Sequence, residues 1–216
     1  MELIVIAIYI IAFLYSVIFH EIAHGWVASR FGDDTAKVSG RLSLNPLVHI
    51  DFLGSIIVPL ILIISQSGLL FGWAKPVPVN PYKLAKRPLS YRLVTVSGIL
   101  TNIFLAVFSA IILKITTQYF GFTANNLGVI FFSIFFQINL VLAVFNSLPL
   151  PGFDGFNFLL TFSPVAHILK QTPLGDPLFM VRYGLLISIT LLFFLMPYIS
   201  NIFSFIFGLF INFFGL

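Results

Sequence analysis

His20, Glu21 and His24 form an HExxH pattern in the segment FHEIAHGW, residues 19–26. On a helix, residues four apart share a face, so both imidazoles can reach a single ion. The glutamate beside them can contact a water molecule on that ion. The chain contains only four histidines, so two of them in this pattern are a specific signal. The pattern predicts a divalent-metal site on a helix, with Glu21 placed to act as a general base.

The composition is that of a membrane protein. Of 216 residues, 59% are hydrophobic and 8% are charged, and the mean hydropathy is +1.08, outside the range of soluble domains. We expect the first uncharged run to stay in the mature chain, because no basic segment precedes it and no small-residue cleavage site follows it. Runs near or above the roughly 17–25 residues of a spanning helix cover 3–19, 53–70, 93–113, 115–153 and 183–216.

The HExxH residues have two other interpretations. The histidines could hydrogen-bond neighbouring helices at the membrane edge, or they could hold a structural metal, which would not need Glu21. Ionisable groups inside a membrane are costly, however, and are candidates for function by default. The metal-site hypothesis accounts for all three residues.

The remaining composition limits the chemistry. The chain has no cysteine, so any metal must use His, Asp or Glu, and disulfides are excluded. The net charge of +4 comes from scattered Lys and Arg, which indicates membrane orientation rather than nucleic-acid binding. We expect one membrane-embedded domain over residues 1–216, with a catalytic core over about 1–160 and a C-terminal hydrophobic segment, 183–216.

Catalytic zinc usually takes three protein ligands and leaves one position open. The candidates for the third ligand are His49, Asp51, Asp154 and His167. Asp154 follows an apolar segment, 127–148, that ends in two prolines, where broken backbone is tolerated only inside protein or along a wet cavity. An alternative is that Asp154 caps a short helix over 156–162, and the two interpretations are compatible.

Several segments resemble the site-2 protease family of intramembrane zinc metalloproteases. Besides HExxH, the segment FNSLPLPGFDGFNFL, residues 145–159, matches the family pattern NxxPxPxxDG at each fixed position, although Gly152 and Phe153 replace the more usual Pro and Leu. SGILTN, 97–102, is similar to the family's glycine-bearing motif. GRLSLNPLVHIDFLGS and FGWAKPVPVNP are similar to the small bacterial branch without a PDZ domain. The resemblance covers about residues 15–160.

The resemblance implies an enzyme that cleaves transmembrane proteins or peptides within the lipid bilayer. His20, His24 and Asp154 would hold Zn²⁺, and Glu21 would be the general base. Asn146 could orient substrate or the oxyanion, or make a capping or helix–helix hydrogen bond, and Asn102 has the same alternatives. His49 could approach the metal or only pack in its loop.

The predicted fold is an all-α polytopic membrane protein with a site-2 protease-like core of three transmembrane helices. HExxH and Asp154 each follow the C-terminal end of an apolar helix, so those two helices must run in the same direction to meet. One of the intervening segments must then fail to cross. Basic residues flank 53–70 on both sides, so the positive-inside rule predicts a re-entrant or interfacial segment there. One or two C-terminal helices follow.

The same rule predicts a multi-pass protein with its active site towards the cytoplasm, and the resemblance implies a bacterial cytoplasmic membrane. Two other classes of function are a metal-binding membrane transporter and a non-proteolytic relative that binds membrane proteins. Against them stand the intact Glu21 and the lack of paired broken helices. The sequence leaves the oligomeric state open.

Overall fold

The computed structural model describes residues 2–65, 74–84 and 88–214. Within these ranges the chain is helical and contains no strand. The long helices are α1 Glu2–Arg30, α5 Pro88–Lys114, which a π-helical turn, Ile115–Tyr119, extends, α6 Leu127–Asn146 and α9 Pro177–Phe214. All four are long and apolar enough to cross a membrane. The chain is therefore an all-α, multi-pass membrane protein.

Short elements occupy the connections between the long helices. They are α2 Thr35–Val38, a 3₁₀ turn Pro46–His49, a π turn Phe52–Ile57, α3 Val58–Ile64, α4 Pro81–Leu84, α7 Asp154–Leu159, α8 Ser163–Lys170 and a 3₁₀ turn Pro173–Gly175. Proline opens α4, α5 and α9, where its missing N–H costs no helical hydrogen bond. Gly32, with a φ of +96°, turns the chain after α1, as glycine commonly does after a helix end.

Helices α1, α5 and α6 form the core. Ala12 of α1 and Phe135 of α6 belong to one cluster, against which Leu105 in the second half of α5 packs. Ala28, nearer the end of α1, packs with Val94 near the start of α5. Helix α5 is therefore antiparallel to α1. Because α1 and α6 also approach each other again at their C-terminal ends, they are parallel, as the sequence predicted.

The C-terminal hydrophobic segment is one helix. Helix α9 continues through Pro197, which settles the choice between one helix and a hairpin in favour of one. Near its start the Ser188 hydroxyl donates to the Pro151 carbonyl, and near its end Phe210 packs on Phe136. Helix α9 therefore runs antiparallel to α6, away from the end where α1 and α6 meet.

Large apolar side chains cover the outside of the bundle, as a lipid-facing surface requires. Phe193, for example, is 78% exposed and Phe205 is 68% exposed. The segment predicted to be re-entrant or interfacial, 53–70, is helical over its described part and ends in the seven-residue α3. Residues 66–70 of that segment lie outside the described ranges. Between α1 and α5, the described chain contains no helix long enough to cross.

Candidate metal centre

The two histidines of the HExxH pattern lie on one face of α1, in its C-terminal half. His20 and His24 are 6% and 9% exposed, and their Nε2 atoms are 3.1 Å apart. Asp154, on the first turn of α7, places Oδ2 3.2 Å from each of these nitrogens. Three potential ligand atoms from residues far apart in the sequence thus form a nearly equilateral triangle.

The hydrogen bonds of the imidazoles fix which nitrogen faces the triangle. His24 Nδ1 lies 2.7 Å from the carbonyl oxygen of Val94, which can only accept, so Nδ1 carries the proton. His20 Nδ1 lies 2.6 Å from Asn102 Oδ1, which is also an acceptor. Both Nε2 atoms therefore present lone pairs towards each other and towards the carboxylate of Asp154.

This arrangement is suited to a cation. Aspartate binds metal ions as the carboxylate, and the two imidazole nitrogens that face Asp154 bind them through their lone pairs. Asp154 Oδ2 is buried and receives no hydrogen bond from the described chain. A buried, unpartnered carboxylate oxygen facing two nitrogen lone pairs is costly unless a cation joins them.

The dimensions fit zinc. A tetrahedral zinc ion with bonds of about 2.0–2.1 Å separates its ligand atoms by roughly 3.3 Å, close to the 3.1–3.2 Å between the three atoms here. In the described part of the chain these three residues are the His, Asp and Glu group that could hold a metal. The second nitrogen of each imidazole is hydrogen-bonded, as in metal sites generally.

Gly98 on α5 lets the imidazoles occupy this position. A Cβ atom on Gly98 would lie 2.5 Å from both His20 Cε1 and His24 Nε2, closer than real atoms approach. The lack of a side chain at Gly98 therefore allows α5 to pack closely beside the two histidines.

The turn before α7 presents Asp154 to the histidines. Asn146 ends α6, and the following turn contains Gly152 with a φ of +89°. Proline, the more usual residue of the family pattern here, is fixed near −65° and cannot adopt that conformation. The turn therefore differs locally from one built on proline.

The capping alternative for Asp154 was wrong. Helix α7 begins at Asp154 itself, Phe153 is the N-cap residue, and no side-chain hydrogen bond caps the helix. The helix also begins and ends earlier than the predicted 156–162. The carboxylate points to the histidines because the extended backbone of Phe153 sets Asp154 at the first helical position.

The other candidates for the third ligand lie elsewhere. His49 is buried, with Nε2 2.8 Å from the carbonyl oxygen of Ser43. Asp51 accepts a hydrogen bond from the Gly54 amide. On α8, the exposed His167 places Nε2 3.2 Å from Gln171 Nε2. None of the three belongs to the metal-binding group among the described residues.

Glu21 faces the segment 74–80 from the same turn of α1 as the histidines. Its Oε2 accepts a hydrogen bond from the amide of Val77 at 2.7 Å. This hydrogen bond orients the carboxylate of Glu21, and the spacing within HExxH could not predict it.

Both predicted asparagines make internal hydrogen bonds. Asn102 has no exposed surface and bonds His20 and Asn139. The Asn146 side chain is half-buried and donates to the Leu142 carbonyl. A role of either residue in orienting substrate or oxyanion stays a prediction.

Sequence reasoning missed Ser16 and Asn139, two fully buried residues hydrogen-bonded to each other beside Asn102. The sequence contained a feature that could have indicated each of them. Ser16 precedes His20 by one helical turn, and Asn139 is an amide inside an apolar spanning helix, where polar side chains usually have partners.

Comparison with curated proteins gives two relatives. Over 167 residues the chain is 40% identical to a Bacillus subtilis protein named "Putative zinc metalloprotease YwhC", covering 76% of this chain and 72% of the relative. Over 153 residues it is 33% identical to a Mycolicibacterium smegmatis protein named "Putative zinc metalloprotease Rip2", covering 69% of this chain and 55% of that relative.

No protein-family model matches the chain, and no solved structure matches it. The identity to the Bacillus protein and the extent of both chains that it covers nevertheless establish the relationship. The chain belongs to the site-2 protease family of zinc metalloproteases.

Proposed function

We propose that this protein is an intramembrane zinc metalloprotease that hydrolyses peptide bonds in or near the transmembrane segments of membrane proteins. The observation that carries the proposal is the triangle of His20 Nε2, His24 Nε2 and Asp154 Oδ2, with edges of 3.1–3.2 Å, beside a carboxylate on the same helical turn. The family relationship and the membrane helices support it.

Metal binding and proton transfer are assigned to different residues. His20, His24 and Asp154 would hold the ion. A zinc ion held there supplies Lewis-acid chemistry, lowering the pKa of water towards about 7 and polarising a peptide carbonyl. Glu21 accepts the proton of the attacking water and returns it to the leaving amine.

The substrate must present an unwound segment, because a helical segment hides its carbonyl groups in internal hydrogen bonds. Two irregular segments adjoin the proposed site, namely 74–80, which contacts Glu21, and 147–153, which precedes Asp154. We propose that an unwound transmembrane segment enters between them from the bilayer. We further place the protein in the bacterial cytoplasmic membrane, with this end of the bundle towards the cytoplasm.

Substitution of Glu21 and Asp154 tests the proposal by separating proton transfer from metal binding. Glu21→Gln should retain zinc and lower cleavage of a model transmembrane substrate by about 10²–10⁴-fold, the range of general-base catalysis. Asp154→Ala should lower both zinc content and cleavage. Zinc is measured by elemental analysis of purified protein, and cleavage is measured in detergent or liposomes.

Matched controls are available for both changes. Glu2→Gln makes the same change at the opposite, exposed end of α1, and Asp176→Ala removes an exposed carboxylate that precedes α9. Both should keep zinc and cleavage. Cleavage by Glu21→Gln at the wild-type rate would refute the proposed base, whereas zinc retained by Asp154→Ala would refute the third ligand. A transporter or a binding scaffold would keep its activity without Glu21.

A further inference from the structure

Three side chains without exposed surface connect α1, α5 and α6 beside the metal centre. They are Ser16, Asn102 and Asn139, each 0% exposed. Asn139 Nδ2 donates to Ser16 Oγ and to the Phe135 carbonyl, both at 2.8 Å. Asn102 Nδ2 donates to Asn139 Oδ1 at 2.8 Å, and Asn102 Oδ1 lies 2.6 Å from His20 Nδ1.

A backbone carbonyl sets the direction of these hydrogen bonds. The Phe135 carbonyl can only accept, so the side of the Asn139 amide that faces it must be the donating Nδ2. Asn139 Oδ1 then faces Asn102 and requires a donor there. Asn102 must therefore turn Nδ2 towards Asn139 and Oδ1 towards His20, so that His20 is protonated on Nδ1.

A second carbonyl fixes the same direction from α1. The Ser16 hydroxyl donates to the Ala12 carbonyl at 2.7 Å, which leaves its oxygen as an acceptor for Asn139 Nδ2. Two carbonyls, one on α1 and one on α6, thus determine the orientation of two amides that could otherwise flip by 180°.

A comparison with His24 shows why the orientation of the Asn102 amide matters for His20. His24 Nδ1 bonds directly to the Val94 carbonyl at 2.7 Å, and a carbonyl cannot reverse its role. The partner of His20 is an amide, which could present either its oxygen or its nitrogen. If Asn102 presented its nitrogen, His20 would favour the tautomer with the proton on Nε2, the atom that faces Asp154.

We propose that Ser16 and Asn139 are positioning residues that act through Asn102 to keep the Nε2 lone pair of His20 directed at the metal. The inference rests on the proposed function of the His20, His24 and Asp154 group. It assigns a role in ligation to residues that contact neither metal nor substrate. Helix association alone would also use such hydrogen bonds, but it would not require one particular tautomer.

Asn139→Leu tests the proposal by removing the amide at similar volume. In metal-free protein labelled with ¹⁵N-histidine, at a pH high enough to keep the imidazoles neutral, the imidazole ¹⁵N shifts distinguish the two neutral tautomers, and the chain has only four histidines to assign. We expect wild-type His20 to carry its proton on Nδ1 and the variant to populate both tautomers. Zinc affinity, measured by competition with a chelator, should fall about 10–100-fold, as for other partners of metal ligands.

Two serines provide a matched pair. Ser16 and Ser109 are both 0% exposed, and each hydroxyl donates 2.7 Å to the carbonyl four residues earlier. Only Ser16 also accepts from Asn139. Ser16→Ala should shift the His20 tautomer and weaken zinc binding, while Ser109→Ala should change neither. In the Asn139→Leu background, Ser16→Ala should weaken zinc binding little further, because Ser16 acts on His20 only through the hydrogen bonds of Asn139 and Asn102.

The outcomes are distinct from those that test the protease function. If Asn139→Leu and Ser16→Ala keep the wild-type tautomer and zinc affinity, the positioning role is refuted, and any loss of thermal stability reflects helix packing alone. If wild-type protein binds zinc but does not cleave, the proposed function fails while the positioning role is still measurable. If Asn139→Leu does not fold, the comparison of Ser16→Ala with Ser109→Ala tests the positioning role.

Discussion

Gly98 shows how one missing side chain can determine whether a metal site forms. Both imidazoles are already restrained, since His24 Nδ1 is bound to a backbone carbonyl and His20 Nδ1 to Asn102. Neither ring can move far without breaking a buried hydrogen bond. A Cβ at position 98 would meet both rings at 2.5 Å, so the conflict must be relieved at the metal ligands or by separation of α1 and α5.

We therefore expect Gly98→Ala to weaken zinc binding by at least about tenfold and to lower cleavage with it. Overpacking of this kind typically costs about 1–3 kcal/mol. The matched control is Gly208→Ala on α9, where an added Cβ would have no neighbour within 4 Å. Zinc titration of the two purified variants checks the prediction. Wild-type zinc affinity in Gly98→Ala would show that α5 shifts without disturbing the ligands.

At the residue scale, the sequence predicted the three side chains that the structure brings together, but not the residues that support them. The four-residue spacing predicted the shared face of His20 and His24, and the lone aspartate after two prolines indicated Asp154. The hydrogen bond of His20 to Asn102 joins residues 82 positions apart, and no periodicity within one helix encodes it. The structure also removed the capping alternative for Asp154, because Phe153 is the N-cap residue of α7.

Among the elements, the segment 74–80 is held by loop residues that follow α1. The Lys75 amide donates to the His49 carbonyl, and the Arg41 guanidinium donates to the carbonyls of Lys75 and Pro76. Because the Val77 amide of this segment bonds Glu21, these anchors also fix the proposed base. Pro76 and Pro78 favour irregular backbone in this segment, but the partners of its peptide groups lie far away in the sequence.

The carboxylate of Asp33 also anchors the segment 74–80. It is fully buried, and its Oδ2 accepts from the Asn80 amide at 2.6 Å. Burial raises the pKa of this carboxyl, but hydrogen bonds from Thr35 and from the Asn80 amide, together with the charge of Lys83, lower that pKa below its ordinary value. Such a group stabilises the fold above its unfolded-state pKa of about 3.9, and the stabilisation is lost as the pH falls through the lower folded-state pKa.

Asp33→Asn should consequently reduce stability by about 1–3 kcal/mol at neutral pH, because an amide nitrogen must face an N–H donor in a buried position. The matched control is Asp34→Asn, the same change at the exposed neighbouring residue, where we expect at most about 0.5 kcal/mol. Thermal unfolding in detergent checks both. The difference between wild type and Asp33→Asn should persist from pH 7 to about pH 5 and narrow below about pH 4; a constant difference at all pH values would contradict the role of the charge.

For the whole molecule, the directions of α1, α5 and α6 followed from one chemical requirement. HExxH and Asp154 can meet only if α1 and α6 run in parallel, which allows one crossing, α5, between them. Helix α9 was harder to predict, because an apolar segment interrupted by proline is compatible with one helix or a hairpin. The contacts of Ser188 with Pro151 and of Phe210 with Phe136, which link distant segments, decide the matter. That residues 1–216 form a single domain stays a prediction.

The charges are distributed unevenly between the two ends of the bundle. Of the Lys and Arg residues in the described ranges, Lys114 alone lies at the end away from the metal centre. The others are Arg30, Lys37, Arg41, Lys75, Lys83, Arg92, Lys170 and Arg182. Because cytoplasmic segments carry the excess of basic residues, we expect the metal-centre end to face the cytoplasm and the connection between α5 and α6 to face outward.

Single cysteines test this orientation cleanly, because the chain has none of its own. Tyr82→Cys places a thiol at a 90% exposed position on α4, at the metal-centre end, and Thr123→Cys places one in the exposed connection at the other end. A membrane-impermeant thiol reagent should label Thr123→Cys in right-side-out vesicles and Tyr82→Cys in inside-out vesicles only. The reverse pattern would place the metal centre at the outer face and make extracytoplasmic segments the accessible substrates. Labelling of both thiols after detergent addition controls for burial of either site.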